Sequence, residues 1–179
     1  MKVIVTDYNP AWPEAFEREA AALRPVFGEL LVAIHHIGST AVPGLKAKPV
    51  VDIMPIVTDI SAVDALVEQM STLGYAARGE GGLPGRRYFF RDIGEIRTHN
   101  VHVFAESNTE AIDRHLAVRD YLRAHPDAVA AYGALKAELA QRVNHDIEAY
   151  MDGKDEFVRR LQAAALKWYR SRREEKPDH

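Results

Sequence analysis

From Val50 to Val57 the chain reads Val-Val-Asp-Ile-Met-Pro-Ile-Val, an almost unbroken apolar run with one carboxylate in it. A run of that length and composition suits a strand covered on both faces, which requires a sheet with layers packed on either side. Asp52 then needs a partner. A buried, unpaired carboxylate costs several kcal/mol or is forced to protonate, so a lysine, arginine, histidine or metal ion has to meet it. Upstream, Leu30 to Ile37 is also apolar and partly β-branched, a second strand. Between the two lies Gly38-Ser39-Thr40 and a turn-forming Pro43-Gly44, which predicts a turn with a short helix over Thr40 to Lys48.

The flanking segments fill in the layers. Trp12, Phe16, Ala20, Leu23 and Phe27 fall at helical spacing, with Pro13 suited to the first turn and Gly28 to the end. Ser61 to Asp64 reads as a capping box opening a helix through Val63, Leu66, Val67, Met70 and Leu73, closed by Gly74. Gly79 to Gly85 is a glycine-rich loop. Arg86 to Ile93 and Arg97 to Phe104 are strands joined around Gly94. Ser107, Asn108 and Thr109 are candidate caps for a helix through Ile112, Leu116 and Leu122, which Pro126 interrupts. A second helix carries Val129, Tyr132, Leu135, Leu139 and Val143, and a third follows Gly153 with Phe157, Leu161, Ala165 and Trp168. The aromatic residues at helical spacing read as core. The expected class is α+β: one domain over 1–179, a mixed sheet packed with helices, and a helical C-terminal third at about 107–171.

Composition narrows the function classes. The 179 residues are 47% hydrophobic, enough for a substantial core, and contain no cysteine, which removes disulfides, thiolate metal sites and cysteine nucleophiles. Met1 to Asp7 lacks the apolar run of a signal peptide, and no stretch approaches the roughly 20 apolar residues of a membrane span. A cytoplasmic protein with no membrane partner is expected. The net charge of −3 gives no global basic field, and no basic stripe is interleaved with aromatics, so nucleic acid is disfavoured as a partner. Arg170 to Lys176 is a mixed charge run of the kind that usually forms a solvated tail. Gly38-Ser39-Thr40 lacks the flanking glycines of a nucleophile elbow, and the glycines at 79–82 do not open a helix as a dinucleotide fingerprint would.

Gly38-Ser39 directly after a strand is a candidate phosphate cradle: glycine permits close backbone approach, and the Ser39 hydroxyl with the N–H groups of the turn can hold phosphate oxygens. A structural turn capped by Ser39 is the competing reading. Asp52, twelve residues on, supplies the rigid carboxylate that metal-dependent phosphoryl or nucleotidyl transfer requires. On the later strand, Asn100 and His102 share one face and Val101 and Val103 the other. If the valines face the core, His102 faces a cleft. An Asp52–His102 pair can hold a transition metal such as manganese, zinc or nickel, act as an acid–base pair, or be a structural hydrogen bond. His35 and His36 point to opposite faces of their strand, and His99 away from His102. Among the cations, Lys48 and Arg87 lie beside motif residues and are the chosen phosphate partners. Arg119 is a weaker third, and Arg119 and Lys136 can equally form salt bridges between helices.

The segment His36-Ile-Gly-Ser-Thr-Ala-Val-Pro-Gly-Leu-Lys-Ala-Lys-Pro-Val-Val-Asp52-Ile53 resembles the signature of the GrpB family. Further agreement runs through Asn9 to Pro13, Arg97 to Val103, Arg119 to Arg123, Tyr132 with Leu135-Lys136, and Tyr150 with Lys154 and Phe157, so it spans essentially the whole chain. The resemblance implies a nucleotidyltransferase-like fold, in which Ile37-Gly38-Ser39 and Asp52-Ile53 match the superfamily pattern. That pattern places a second acid at the position of Met54, which shares a face with Asp52 but is a thioether, a poor ligand for magnesium. The missing acid is characteristic of the family, and family members often carry histidine where this chain has Asn100. What is implied is a nucleotidyltransferase-like protein acting on a small molecule or nucleotide. Gly38, Ser39, Thr40, Lys48 and Arg87 would hold phosphate, and Asp52 and His102 would serve as metal (magnesium, manganese or a transition metal) or acid–base residues. The alternative is a catalytically silent nucleotide- or metabolite-binding module of the same fold, or an interaction partner in a larger assembly.

Overall fold

The structure, a computed structural model, describes residues 4–142 and 146–175. Expectations resting on Met1 to Val3, Val143 and Lys176 lie outside these residues. Contacts divide the chain into two compact units: a sheet unit of Pro10–Ile37 and Val50–Ile112, and a helical unit of the residues up to Asn9, Gly38–Pro49 and those from Asp113 onward.

The sheet unit opens with α1 (Trp12–Phe27), whose five-residue stripe is buried throughout, with Pro13 in the first turn as expected. The backbone N–H of Gly28, at φ 53°, bonds the carbonyl of Arg24 and ends the helix. β1 (Leu31–Ile37) and β2 (Val51–Val57) follow, then α2 (Val67–Thr72), β3 (Ala76–Ala77), β4 (Arg86–Ile93) and β5 (Ile96–Ala105). The sheet runs β1-β2-β5-β4-β3. Among the described residues only the central β2–β5 pair is parallel, so the sheet is mixed. The expected strand at 50–57 is correct, and every residue of β2 except Asp52 is buried. α1 packs on β1 and β2. The α+β class is as expected.

Two local expectations fail. Ser61 opens no capping box: residues Ser61–Leu66 form a 3-10 helix before the short α2, and the Ser61 N–H donates to the carboxylate of Asp59 (3.0 Å), two residues earlier. β3, only two residues long, was not expected. It covers the outer edge of β4.

α3 (Thr109–Ala124) starts in the sheet unit, its N-terminus capped by Asn108, which accepts from the Ala111 N–H. From Asp113 it belongs to the helical unit with α4 (Pro126–Arg142) and α5 (Ile147–Glu174). Pro126 stands where a helix start tolerates its missing N–H. Val42 and Leu45 of the 38–49 segment are fully buried among Leu122, Tyr132 and Leu161. A second cluster joins Leu139, Ala140 and Tyr150.

Gly153 does not separate helices. α5 runs through it, starting at Asp146, whose side chain accepts from the N–H groups of Glu148 and Ala149. A β-carbon at Gly153 would lie 2.6 Å from Cδ2 of the buried Leu139, so the glycine permits close helix packing. Gly153→Val is expected to cost about 2 kcal/mol by overpacking, lowering the melting temperature by about 4–8 °C, read by thermal denaturation. A variant melting at the wild-type temperature would show that Leu139 moves aside freely.

Candidate functional site

Strand alternation and register build one cluster in the sheet unit. Val101 and Val103 are fully buried, which turns Asn100 and His102 to the opposite face of β5. The parallel pairing sets Asp52 beside Asn100, and the antiparallel pairing sets Tyr88 beside His102. Asp52 Oδ1 accepts from Asn100 Nδ2 (3.2 Å) and lies 3.1 Å from His102 Nε2. Tyr88 donates its hydroxyl to Asn100 Oδ1 (2.7 Å) and stacks on the His102 ring at 5.5 Å. Arg97 donates to the Tyr88 oxygen (3.1 Å), and Arg86 Nη1 stands 3.3 Å from His102 Nδ1. Burial raises the Tyr88 phenol pKa, with the Asp52 charge adding to the rise and nearby arginines opposing it.

The expected pairing of Asp52 with His102 is thus present as geometry. Met54, two residues beyond Asp52 on β2, is fully buried as a core side chain. The oxygen and nitrogen atoms around Asp52 are mainly donors, with two guanidinium groups in the same network. That is a poor match to a divalent cation, which needs lone pairs directed at it. Among the described residues, no group of three or more His, Asp or Glu is placed to hold a metal ion.

The helical unit holds Gly38, Ser39 and Thr40, the expected phosphate-binding turn. Gly38 sits at φ 74°, ψ −172°, a conformation strained for any residue with a β-carbon, and Ser39–Ala41 form a 3-10 turn with Thr40 buried inside it. A cation that reaches this turn is Lys136 of α4. It is only 2% exposed, and its ammonium donates to Ser39 Oγ and to the Lys46 carbonyl (3.2 Å). Lys136 also stands 4.2 Å over the ring of Tyr132. Burial raises the Tyr132 phenol pKa, the neighbouring Tyr150 adds to this, and a hydrogen bond with Ser39 opposes it. Arg123 donates to the Ala41 carbonyl (2.9 Å).

Lys48 lies 5.6 Å from the centre of the Tyr150 ring, and Lys154 lies 4.9 Å from it. The Tyr150 hydroxyl is buried without a hydrogen-bond partner among the described residues, and burial pushes it up to about 12. Arg87 is committed elsewhere, gripping Asp64 with two bonds at 2.7 and 3.2 Å. Arg119 donates to its neighbour Asp120 (2.8 Å). His36 is buried against Phe16 with rings parallel at 4.9 Å, a packing role.

Sequence reasoning missed Arg86 and Tyr88, although the signal was present. The period of two along β4 places both on one face and Arg87 on the other. A cavity of about 440 Å³ in the helical unit, between α3 and the end of α5, is lined by Arg123, Trp168 and Arg172 among others and includes none of the residues expected at the site.

Comparison with known proteins agrees with the motif. The model for GrpB protein matches residues 2–164. The protein YqkA of Bacillus subtilis (strain 168) is 44% identical over 96% of this chain and 49% of its own length, and PA4798 of Pseudomonas aeruginosa is 40% identical over 92% of this chain and 68% of its own. The chain therefore spans about half the length of the first of these relatives. The crystal structure of the conserved protein GrpB from Enterococcus faecalis superposes with a TM-score of 0.90 at 46% identity, covering 93% of this chain and 99% of that one. With a family model matched over most of its length and a structure of the same family superposing throughout, the chain belongs to the GrpB family.

Proposed function

We propose that this chain binds a phosphate-bearing small molecule, a nucleotide in the first instance, and transfers a phosphoryl or nucleotidyl group from it in the cytoplasm. The observation that carries the reading is Lys136. A nearly inaccessible ammonium is held on the hydroxyl of Ser39, in a turn whose glycine permits close backbone approach. Burying a cation costs several kcal/mol, and placing it among oxygens at such a turn suits an anionic ligand better than a purely structural contact. In the sheet unit, Asp52 and His102 supply a carboxylate and an imidazole able to handle a proton.

Phosphate binding here rests on Gly38, Ser39 and Lys136, with Thr40 as part of the turn and Lys48 as a further cation. Arg87, held by Asp64, is left out. A second reading, a binding module without chemistry, is favoured by the fully buried Met54 where the superfamily pattern has an acid.

The readings separate in a thermal-shift series with ATP, GTP, CTP and UTP, each with and without magnesium or manganese. Stabilisation by a nucleotide, together with turnover of that nucleotide that Asp52→Ala abolishes, is the expected result for a transferase. Stabilisation without turnover supports the binding module. No response to any of the four in either metal condition would sink the nucleotide assignment, and turnover undiminished in Asp52→Ala would sink the role given to Asp52.

A further inference from the structure

We infer that Asp52, Asn100 and His102 form a metal-free acid–base centre, in which Nδ1 of His102 is the proton acceptor, Asp52 the residue that positions it, and Arg86 the group that covers it. The inference deepens the transfer reading above and rests on it for the identity of the substrate.

Its basis is donor and acceptor logic. A guanidinium has five N–H donors and no acceptor, and it stays protonated in proteins. Arg86 Nη1 is 3.3 Å from His102 Nδ1, so Nδ1 must present a lone pair. A neutral imidazole with an unprotonated Nδ1 carries its hydrogen on Nε2, and Nε2 faces Asp52 Oδ1 at 3.1 Å. The Asn100 amide is oriented in the same way. Tyr88 donates to its oxygen at 2.7 Å and Arg97 approaches that oxygen at 3.4 Å, which turns the NH2 group to Asp52.

Asp52 therefore receives two N–H groups, and both ring nitrogens of His102 are assigned. For His102 Nε2 to ligate a metal the tautomer would have to invert, putting an Nδ1–H against the Arg86 guanidinium. The donor set disfavours a divalent ion on these residues.

The arrangement that remains is an imidazole steadied by a carboxylate, with its basic atom on the far side. A ligand hydroxyl placed there gives its proton to Nδ1. The oxygen's electron pair forms the new bond to a phosphorus of the nucleotide donor while the bond from that phosphorus to its leaving phosphate oxygen breaks, and the leaving oxygen keeps the pair. The imidazolium so formed is held by Asp52 through Nε2–H. Arg86 is bonded to the carbonyls of Gly81 (2.9 Å) and Glu80 (3.1 Å), so the cover over Nδ1 is tied to the glycine-rich loop. A phosphate on the same ligand is the partner to which a guanidinium turns when it leaves Nδ1.

Long-range proton–nitrogen correlation spectra of the full chain with 15N-labelled histidine test this, with His102 identified by loss of its signals in His102→Gln. Without ligand, wild type should show the Nε2–H tautomer, and Asp52→Ala and Arg86→Leu should each drive the pattern toward an average of the two forms. Arg86→Leu, at a partly exposed position, decides the matter if Asp52→Ala fails to fold. Manganese chloride should broaden His102 no more than the other histidines. A wild-type Nδ1–H tautomer, or manganese broadening selective for His102 and absent in Asp52→Ala, would overturn the centre. ATP that raises the melting temperature should shift the Nδ1 resonance, and stabilisation by ATP without that shift would overturn the proton-acceptor role. Failure of ATP to stabilise would instead count against the functional reading, while the tautomer and manganese results still decide the centre.

Discussion

Replacing Glu19 with alanine is expected to destabilise the sheet unit by about 3 kcal/mol, lowering the melting temperature by about 6–12 °C. Glu19 projects from α1 and accepts from Arg91 of β4 (2.6 Å) and from the hydroxyl of Tyr75 (2.8 Å). Arg91 continues the network to the Leu73 carbonyl (3.2 Å) and to His99 Nδ1 (3.1 Å), so one carboxylate ties the helix to two strands and a turn. Its removal takes the carboxylate from a largely buried guanidinium, which keeps only the Leu73 carbonyl and His99 among its described partners, and takes the acceptor from a buried phenol. Glu19→Gln, which keeps an acceptor oxygen, should lose less. A double-mutant cycle with Arg91→Leu should return a coupling energy well above that of an exposed ion pair, such as Arg160 with Glu156 on α5. Additive losses would show that the two residues act independently.

The same network predicts acid sensitivity. Burial pushes the Glu19 carboxyl up, but the hydrogen bonds from Arg91 and Tyr75 outweigh it and hold the group below the ordinary glutamate value. Burial, with the Arg91 charge, also lowers the His99 imidazole pKa. Both groups have folded pKa values below their unfolded ones, so the unfolded chain binds more protons and stability falls as pH falls. The His99 contribution is complete above its unfolded value of about 6.5 and declines below it; the Glu19 contribution declines below about 4.3. Urea midpoints should thus drop in two stages between pH 7 and pH 3, and His99→Gln should flatten the upper stage. A midpoint constant across pH 7 to 5 in wild type would contradict the His99 assignment.

Lys136→Met carries the other large effect. It should weaken nucleotide binding by roughly 30- to 100-fold, the worth of about 2–3 kcal/mol from a charge-assisted hydrogen bond to a ligand oxygen. The fold should survive, because methionine is a flexible apolar side chain of similar length, and removing a buried cation also removes its desolvation cost. Lys136→Arg should not restore binding, since the planar guanidinium is larger than the ammonium that fits between Ser39 and the Lys46 carbonyl. Calorimetric titration with ATP beside thermal denaturation separates the two effects. Wild-type affinity in Lys136→Met would remove Lys136 from the binding set, and global unfolding would make its role structural.

What could be read from the sequence was whatever local periodicity determines. The stripe from Trp12 to Phe27 has one helical solution, and the alternation of Asn100, Val101, His102 and Val103 allows one orientation once the valines must be buried. From that orientation the approach of His102 to Asp52 followed. Lys136 could not be placed the same way: it is 97 residues from Ser39, and nothing local tells a buried lysine in a helix from one in a salt bridge. Arg87 was favoured over Arg86 by its neighbourhood in sequence; the period of two separates the two arginines, but which of them meets His102 depends on the register of β4 against β5, which no single strand encodes. Gly153 marks the start of the third C-terminal helix in the sequence pattern, yet α5 runs through it. The tight approach of Leu139 to α5 turns the same residue into a packing requirement.

The parallel pairing of β2 with β5 has a kinetic consequence. β4 and β5 form a hairpin around Gly94, so Arg86, Tyr88, Asn100 and His102 can meet through local contacts on the order of microseconds. Asp52 joins them only when a strand about fifty residues earlier aligns in parallel, a loop closure whose entropy must be overcome before any contact rewards it. The carboxylate is thus the late arrival among the groups around His102. In a refolding chain, the moment at which the imidazole acquires its partner marks completion of the sheet's slowest pairing.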